Sequence, residues 1–283
     1  MNIMKKITLL LSLALFVAAM VFTACEKTKD ESTNATFTVK ASEDEALADT
    51  YWNVIDSDID YVSDLMESNN FKSVTDTCPM IIVDHPDSVY FPRTITIDYG
   101  DEYCETWHGR MKKGRIIINI TDRMHLAGSV RTVTLEDFYI DRHHIEGVKT
   151  ITNNGFNDSG NMNFDVVLEG GQITFPDEGT ITRTMNHNRE WTAGIETPRY
   201  WWDNEWLIRG TASGTNIDGI EYSNEIITPV LVKSVCRFPV SGTIEMNITD
   251  VGTPVLDYGD GECDNIATIT LGDRTWDIIL GRH

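Results

Sequence analysis

Asp98-Tyr99-Gly100-Asp101-Glu102-Tyr103-Cys104 returns later in the chain as Asp257-Tyr258-Gly259-Asp260-Gly261-Glu262-Cys263, with the same residue at five of seven positions. Each copy follows a short apolar-rich run: Ile95, Ile97 and Tyr99 in the first, Val255 and Leu256 in the second. Each also has a second cysteine upstream, Cys78 lying 26 residues before Cys104 and Cys236 lying 27 before Cys263. The repeat reads as two related disulfide-stapled β-units, residues 78–121 and 236–280, at the two ends of one domain spanning 42–283.

Between the copies the hydrophobic period is two. Met162, Phe164, Val166 and Leu168 alternate with polar partners, and Ile244-Met246-Ile248 and Trp276-Ile278-Leu280 repeat the pattern. One buried and one wetted face produce this alternation in antiparallel sheets. Val133-Leu135 starts the same way and slips at Glu136-Asp137, which predicts a bulge. Asn154-Gly155, Glu169-Gly170-Gly171, Asp177-Glu178-Gly179, Asp218-Gly219 and Gly272-Asp273 are read as turns, since their residues tolerate positive φ. About 14 strand candidates fall between Thr94 and Leu280. The expected fold is therefore all-β: a large antiparallel meander, as a sandwich or a half-open or closed barrel, with one N-terminal amphipathic helix.

That helix is expected over 42–67. Ser42 and Glu45 have capping-box spacing. Leu47, Tyr51, Ile55, Ile59, Val62 and Met66 then form one stripe. Nine Asp or Glu residues take the remaining faces. A helix packed on the sheet with its acidic side in water is the expectation, and a partner-binding helix is the alternative.

The first residues carry an address. Lys5 and Lys6 precede an apolar run from Ile7 to Phe22, and Thr23-Ala24 leads into Cys25. This is the three-part plan of a secretory signal. The cysteine directly after Ala24 resembles the lipobox of bacterial lipoproteins. That resemblance implies removal of residues 1–24, lipidation of Cys25, and a flexible tether over 25–41. The expected location is the bacterial outer membrane, lipid-anchored on its surface or periplasmic face. Lys29-Asp30-Glu31 is similar to the export signal of surface lipoproteins of Bacteroidota.

With Cys25 lipidated, four cysteines remain, an even number suited to an oxidising compartment. The repeat selects Cys78–Cys104 and Cys236–Cys263 from the three possible connectivities. No two cysteines have the short spacing of a structural zinc site. Formal charge is −21, and loss of Lys5 and Lys6 takes the mature chain two further, to −23. Such a balance opposes nucleic-acid binding, which needs clustered cations. It also opposes adhesion to anionic lipid, so the anchor alone should hold the protein to membrane.

Ile95-Thr96-Ile97-Asp98-Tyr99-Gly100, Ser129-Val130-Arg131-Thr132-Val133-Thr134, Thr150-Ile151-Thr152-Asn153-Asn154-Gly155 and Gly210-Thr211-Ala212-Ser213-Gly214, with the second copy of the repeat, resemble a family of uncharacterised Bacteroidota cell-envelope lipoproteins. The resemblance implies an all-β, envelope-anchored body and no particular activity.

Tyr200-Trp201-Trp202-Asp203-Asn204-Glu205-Trp206, with Trp191 nearby, is the main candidate for ligand binding. Aromatic faces beside carboxylates suit a sugar, whereas bulky tryptophans around an Asp-Asn turn also suit a large β core. Asp257, Asp260 and Asp264 are spaced as weak calcium candidates, without the full loop pattern of a calcium site. His143-His144 lacks metal-site order, points to opposite strand faces and is expected in a solvated turn. No cofactor motif is read. The functional expectation is a non-enzymatic structural or binding module for glycan or an envelope protein. The alternatives are a polysaccharide hydrolase, with Asp203 and Glu205 on one concave wall, and a lipid or lipoprotein carrier with a deep apolar cavity.

Overall fold

A computed structural model describes residues 36, 38–63, 65–66, 78–84, 91–106, 109–197 and 200–281. The expected signal segment, Cys25 and Lys29-Asp30-Glu31 lie outside these. The described chain is one helix and fourteen strands joined into a single antiparallel sheet that does not close. The strands are β1 (Met80–Val83), β2 (Arg93–Asp98), β3 (Cys104–Glu105), β4 (Met111–Ile120), β5 (Val130–Ile140), β6 (His143–Phe156) and β7 (Met162–Phe175). They continue as β8 (Gly179–Ala193), β9 (Glu205–Thr215), β10 (Glu221–Lys233), β11 (Ser241–Ile248), β12 (Val255–Asp260), β13 (Ile266–Leu271) and β14 (Arg274–Ile279). Every strand pairs with its sequence neighbour, except that β3 is a short spur on β4 and β2 pairs with β4 directly. This is the expected meander, open rather than barrel-closed.

Helix α1 departs from expectation in two ways. It is helical at 36, 38–63 and 65–66, so Ser42 and Glu45 lie inside it and form no capping box, and residues assigned to the tether belong to it. Its acidic side does not face water. Asp44, Glu45, Asp49, Asp56 and Asp60 are buried together with Leu47, Tyr51, Ile55 and Ile59. A helix buried on most of its faces fills an interior instead of lying on one. It contacts side chains of β4, β5, β6, β8, β10 and β12, so the sheet wraps it. Its acidic face is therefore turned inward, and between 44 and 63 only the stripe of Asn53, Val54, Ser57, Asp58 and Tyr61 stays partly uncovered.

The burial of so many carboxylates has one physical explanation. Glu45, Asp49, Asp56 and Asp60 make a stripe at helical spacing, and the sheet meets it with four inward cations. Arg183 on β8 holds Glu45 at 2.5 Å and also Asp49. Lys149 on β6 donates to Asp56 at 2.6 Å. Arg189 on β8 and Arg131 on β5 donate to the two oxygens of Asp60 at 3.0 and 3.3 Å. Buried charges survive only when paired and hydrogen-bonded, and here four acids face four bases.

Two expected turns are bulges inside long strands. Asn154-Gly155 falls within β6 and Glu169-Gly170-Gly171 within β7, each at a register shift. Gly155 and Gly170 use their positive φ to bend a continuing strand instead of ending it. The bend serves α1: a Cβ on Gly147 would stand 3.0 Å from Gly171 Cα and 3.2 Å from the Trp52 ring. The bare glycines of β6 and β7 thus make the seat for Trp52. The bulge at Glu136-Asp137 forms as expected, with Asp137 at φ 45°. The turns at Asp177-Glu178, Asp218-Gly219 and Gly272-Asp273 also form between strands.

The repeated heptapeptide folds alike in both places. Asp98 Oδ1 accepts from Gly100 N at 2.8 Å, and Asp257 Oδ1 accepts from Gly259 N at 2.9 Å. Each tyrosine is buried against a helix acid: Tyr258 donates to Asp49 at 2.9 Å, and Asp58 stands at Tyr99. Both cysteine pairs are bonded as expected, with Cα–Cα distances of 6.4 Å for Cys78–Cys104 and 5.3 Å for Cys236–Cys263. Among the described residues no helix is long and apolar enough to cross a membrane.

Candidate functional site

Between 44 and 63 the helix is buried except at Asn53, Val54, Ser57, Asp58 and Tyr61, among its described residues. These five lie one turn apart in two short rows, and all line one cleft. The opposite walls come from both flanks of the sheet. Arg110 and Lys112 stand at the start of β4, while Val232 and Lys233 end β10 and Ser234 to Pro239 lead on to β11. Trp201 supplies the lip. The cleft encloses about 70 Å³.

The walls are cationic. Arg110, Lys112, Lys233 and Arg237 line the cleft, against one carboxylate, Asp58. Lys112 is paired with that carboxylate at 2.5 Å, and Lys233 Nζ donates to the Gly261 carbonyl at 3.1 Å. Arg110 is almost wholly buried; its Nη1 donates to Asp141 at 2.5 Å, while Nε and Nη2 have no partner among the described residues. Arg237 is exposed, with its guanidinium 5.5 Å from the Phe238 ring centroid. Partial burial and then the charge of Arg110 push the Arg237 pKa down.

The aromatic stretch divides in two. Trp191 and Trp206 are core residues, stacked 5.0 Å apart with the Arg189 guanidinium 4.2 Å over Trp206. Trp201 and Trp202 are not core. They open a 3-10 turn, Trp201–Asp203, anchored where Asn204 accepts from Trp191 Nε1 at 3.2 Å and its carbonyl takes Ser234 N at 3.0 Å. Tyr200 and Trp202 stay about half exposed, at 52% and 49%, and meet edge-to-face at 4.9 Å. The alternation of β9 explains the split: Trp206 falls on the inward parity with Ile208, while the turn before it projects outward. Asp203 accepts from Thr197 Oγ1 at 2.7 Å, and Glu205 begins β9; neither lines the cleft.

The remaining candidates serve local structure. Asp257 and Asp264 each accept from a backbone N–H two residues on, at 2.9 and 3.0 Å, and Asp260 pairs in β12 with Ser241. Among the described residues no cluster of three His, Cys, Asp or Glu could hold a metal. His143 and His144 do not sit in a turn: they open β6, one bonded to the Tyr51 hydroxyl at 2.7 Å and the other stacked on Tyr139 at 4.6 Å. A second, shallow concavity of about 650 Å³ crosses the outer face of β7 to β11. Asn186, Thr211, Glu225 and Glu245 form one cross-strand row there.

Fold and cleft together define an all-β protein: an open fourteen-stranded sheet wound on an acidic helix, with a cation-lined, aromatic-lipped cleft where the wrap leaves the helix bare. Comparison with protein-family models, curated proteins and solved structures found no match.

Proposed function

We propose that this chain is a lipid-anchored protein of a bacterial outer envelope whose β body is a binding module for glycan. The reading of the N-terminus rests on the charged, apolar and small-residue order ending at Cys25. The binding reading rests on one observation: Tyr200 and Trp202, exposed and held in contact, flank Trp201 at the edge of a cleft. Exposed aromatics on a fixed turn offer flat faces to a sugar ring at little entropic cost. The sheet interior, which a carried lipid would need, is filled by α1.

Two experiments test the proposal. Cells expressing the chain and fed labelled palmitate should incorporate label and retain the protein in the membrane fraction, and Cys25→Ala should lose both. Purified full-length protein in detergent, titrated with an oligosaccharide panel, should show tryptophan fluorescence changes that Trp202→Ala weakens about tenfold. Label-free protein would end the anchor reading, and silence across the panel would end the glycan reading.

A further inference from the structure

We propose that the cleft binds the anionic group of an acidic saccharide, with Arg110 and Arg237 as its ligands and Tyr200 and Trp202 as the platform for the ring. The proposal rests on the glycan reading above and names its ligand class.

A local excess of positive charge on so acidic a chain is the first argument. Four cations line the cleft in a protein of net charge −21. The single lining carboxylate, Asp58, is already paired with Lys112. The second argument is Arg110 itself. Its side chain is almost wholly buried, Asp141 takes one nitrogen, and among the described residues Nε and Nη2 remain without an acceptor. Buried guanidinium donors are satisfied as a rule, and a two-oxygen anion suits the planar fork. Arg237 stands against the same Phe238 ring that Arg110 approaches, at 5.5 and 5.9 Å. The charge of Arg110 opposes that of Arg237, and Asp141, already bonded to Arg110, offsets only part of it.

Size divides the ligand between the two parts of the site. A cleft of about 70 Å³ has room for a carboxylate or phosphate. A ring stacked on Tyr200 or Trp202 would lie outside the cleft, since both are about half exposed and stand next to the lining residue Trp201. A nucleic acid is a poorer fit, because its dense phosphate charge would meet the acidity of the rest of the surface. A saccharide with one charge per ring delivers its anion to the cleft alone.

The test uses full-length protein in detergent and oligosaccharides carrying glucuronate, galacturonate or sialate, each against its methyl ester, with a sugar phosphate alongside. At least one acid should bind about tenfold or more tighter than its ester, with the preference shrinking as salt rises. Arg237→Gln, an exposed substitution with circular dichroism as the folding control, should bring the acid down to the ester's affinity. Trp202→Ala should weaken acid and ester alike. Binding of the sugar phosphate would place phosphate among the accepted anions, and its failure would assign the site to carboxylate. Equal affinity for every acid and its ester would overturn the anion proposal and leave the glycan reading standing. Binding of an acidic peptide with no saccharide bound would overturn both.

Discussion

Lys149 on β6 and Asp56 on α1 form an ion pair at 2.6 Å with both side chains almost wholly out of water. Lys149 also donates to the Trp52 carbonyl at 3.3 Å, and its ammonium lies 5.1 Å from the Trp52 ring centroid. Burial pushes the Lys149 pKa down while Asp56 pulls it up. Removing the lysine strands a carboxylate in the interior, with Arg189 at 3.7 Å as its remaining cation. Lys149→Met should therefore lower stability by about 3–5 kcal/mol in urea unfolding. The double variant Lys149→Met with Asp56→Leu should lose less than the single one. A larger loss in the double variant would show that the pair itself, and not the stranded charge, dominates.

His187 on β8 sits among Arg183, Lys149 and Arg189, and burial and then these charges hold its pKa well below 6.5. The folded chain refuses a proton that the unfolded chain accepts. Its contribution is thus whole above pH 6.5 and lost as pH falls below that value. Asp49 has the opposite sign. Burial raises it from 3.8 to about 6, so the folded chain keeps a proton the unfolded one releases. Its contribution is present below pH 3.8 and lost as pH rises towards 6. Denaturation between pH 4 and 6.5 should show Asp49→Asn losing stability on acidification more steeply than wild type, and His187→Gln less steeply. Parallel curves for all three would contradict both assignments.

Gly147 carries the seat for Trp52, and at φ +143° with Gly171 Cα 3.0 Å from its Cβ position it has no room for a side chain. Gly147→Ala should cost about 1–3 kcal/mol by overpacking and strain. Gly160→Ala, at φ +79° with nothing within 4 Å, should cost only the backbone strain and remain the milder of the two by thermal melt. A Gly147→Ala protein as stable as Gly160→Ala would mean that α1 does not press on the bulge.

Much of this architecture is legible in the sequence. Strict alternation at Met162–Leu168 and Ile244–Ile248 gives the inward face, and the repeated Asp-Tyr-Gly gives two units that fold alike. What misleads is the treatment of charge. Acidic helix residues suggest a wetted face, yet Arg131, Lys149, Arg183 and Arg189 stand on the same parity as Val133, Ile151, Ile181 and Trp191. Cations on core positions of a sheet, set against a helix rich in acids, are the signal that the two bury each other. The glycines at 155 and 170 mislead for another reason: positive φ permits a turn and a bulge equally, and only the register of the neighbouring strands chooses. The cleft is hidden for a third. Arg110, Arg237 and Trp201 are far apart in sequence and meet only because α1 is left uncovered along Asn53, Ser57 and Tyr61.

Everything described depends on α1 being the interior of the sheet, and native-state hydrogen exchange read by mass spectrometry tests this most directly. The amides of residues 45–62 should exchange as slowly as those of β7 and β8, opening only with global unfolding. Helix amides that exchange orders of magnitude faster than those strands would contradict it.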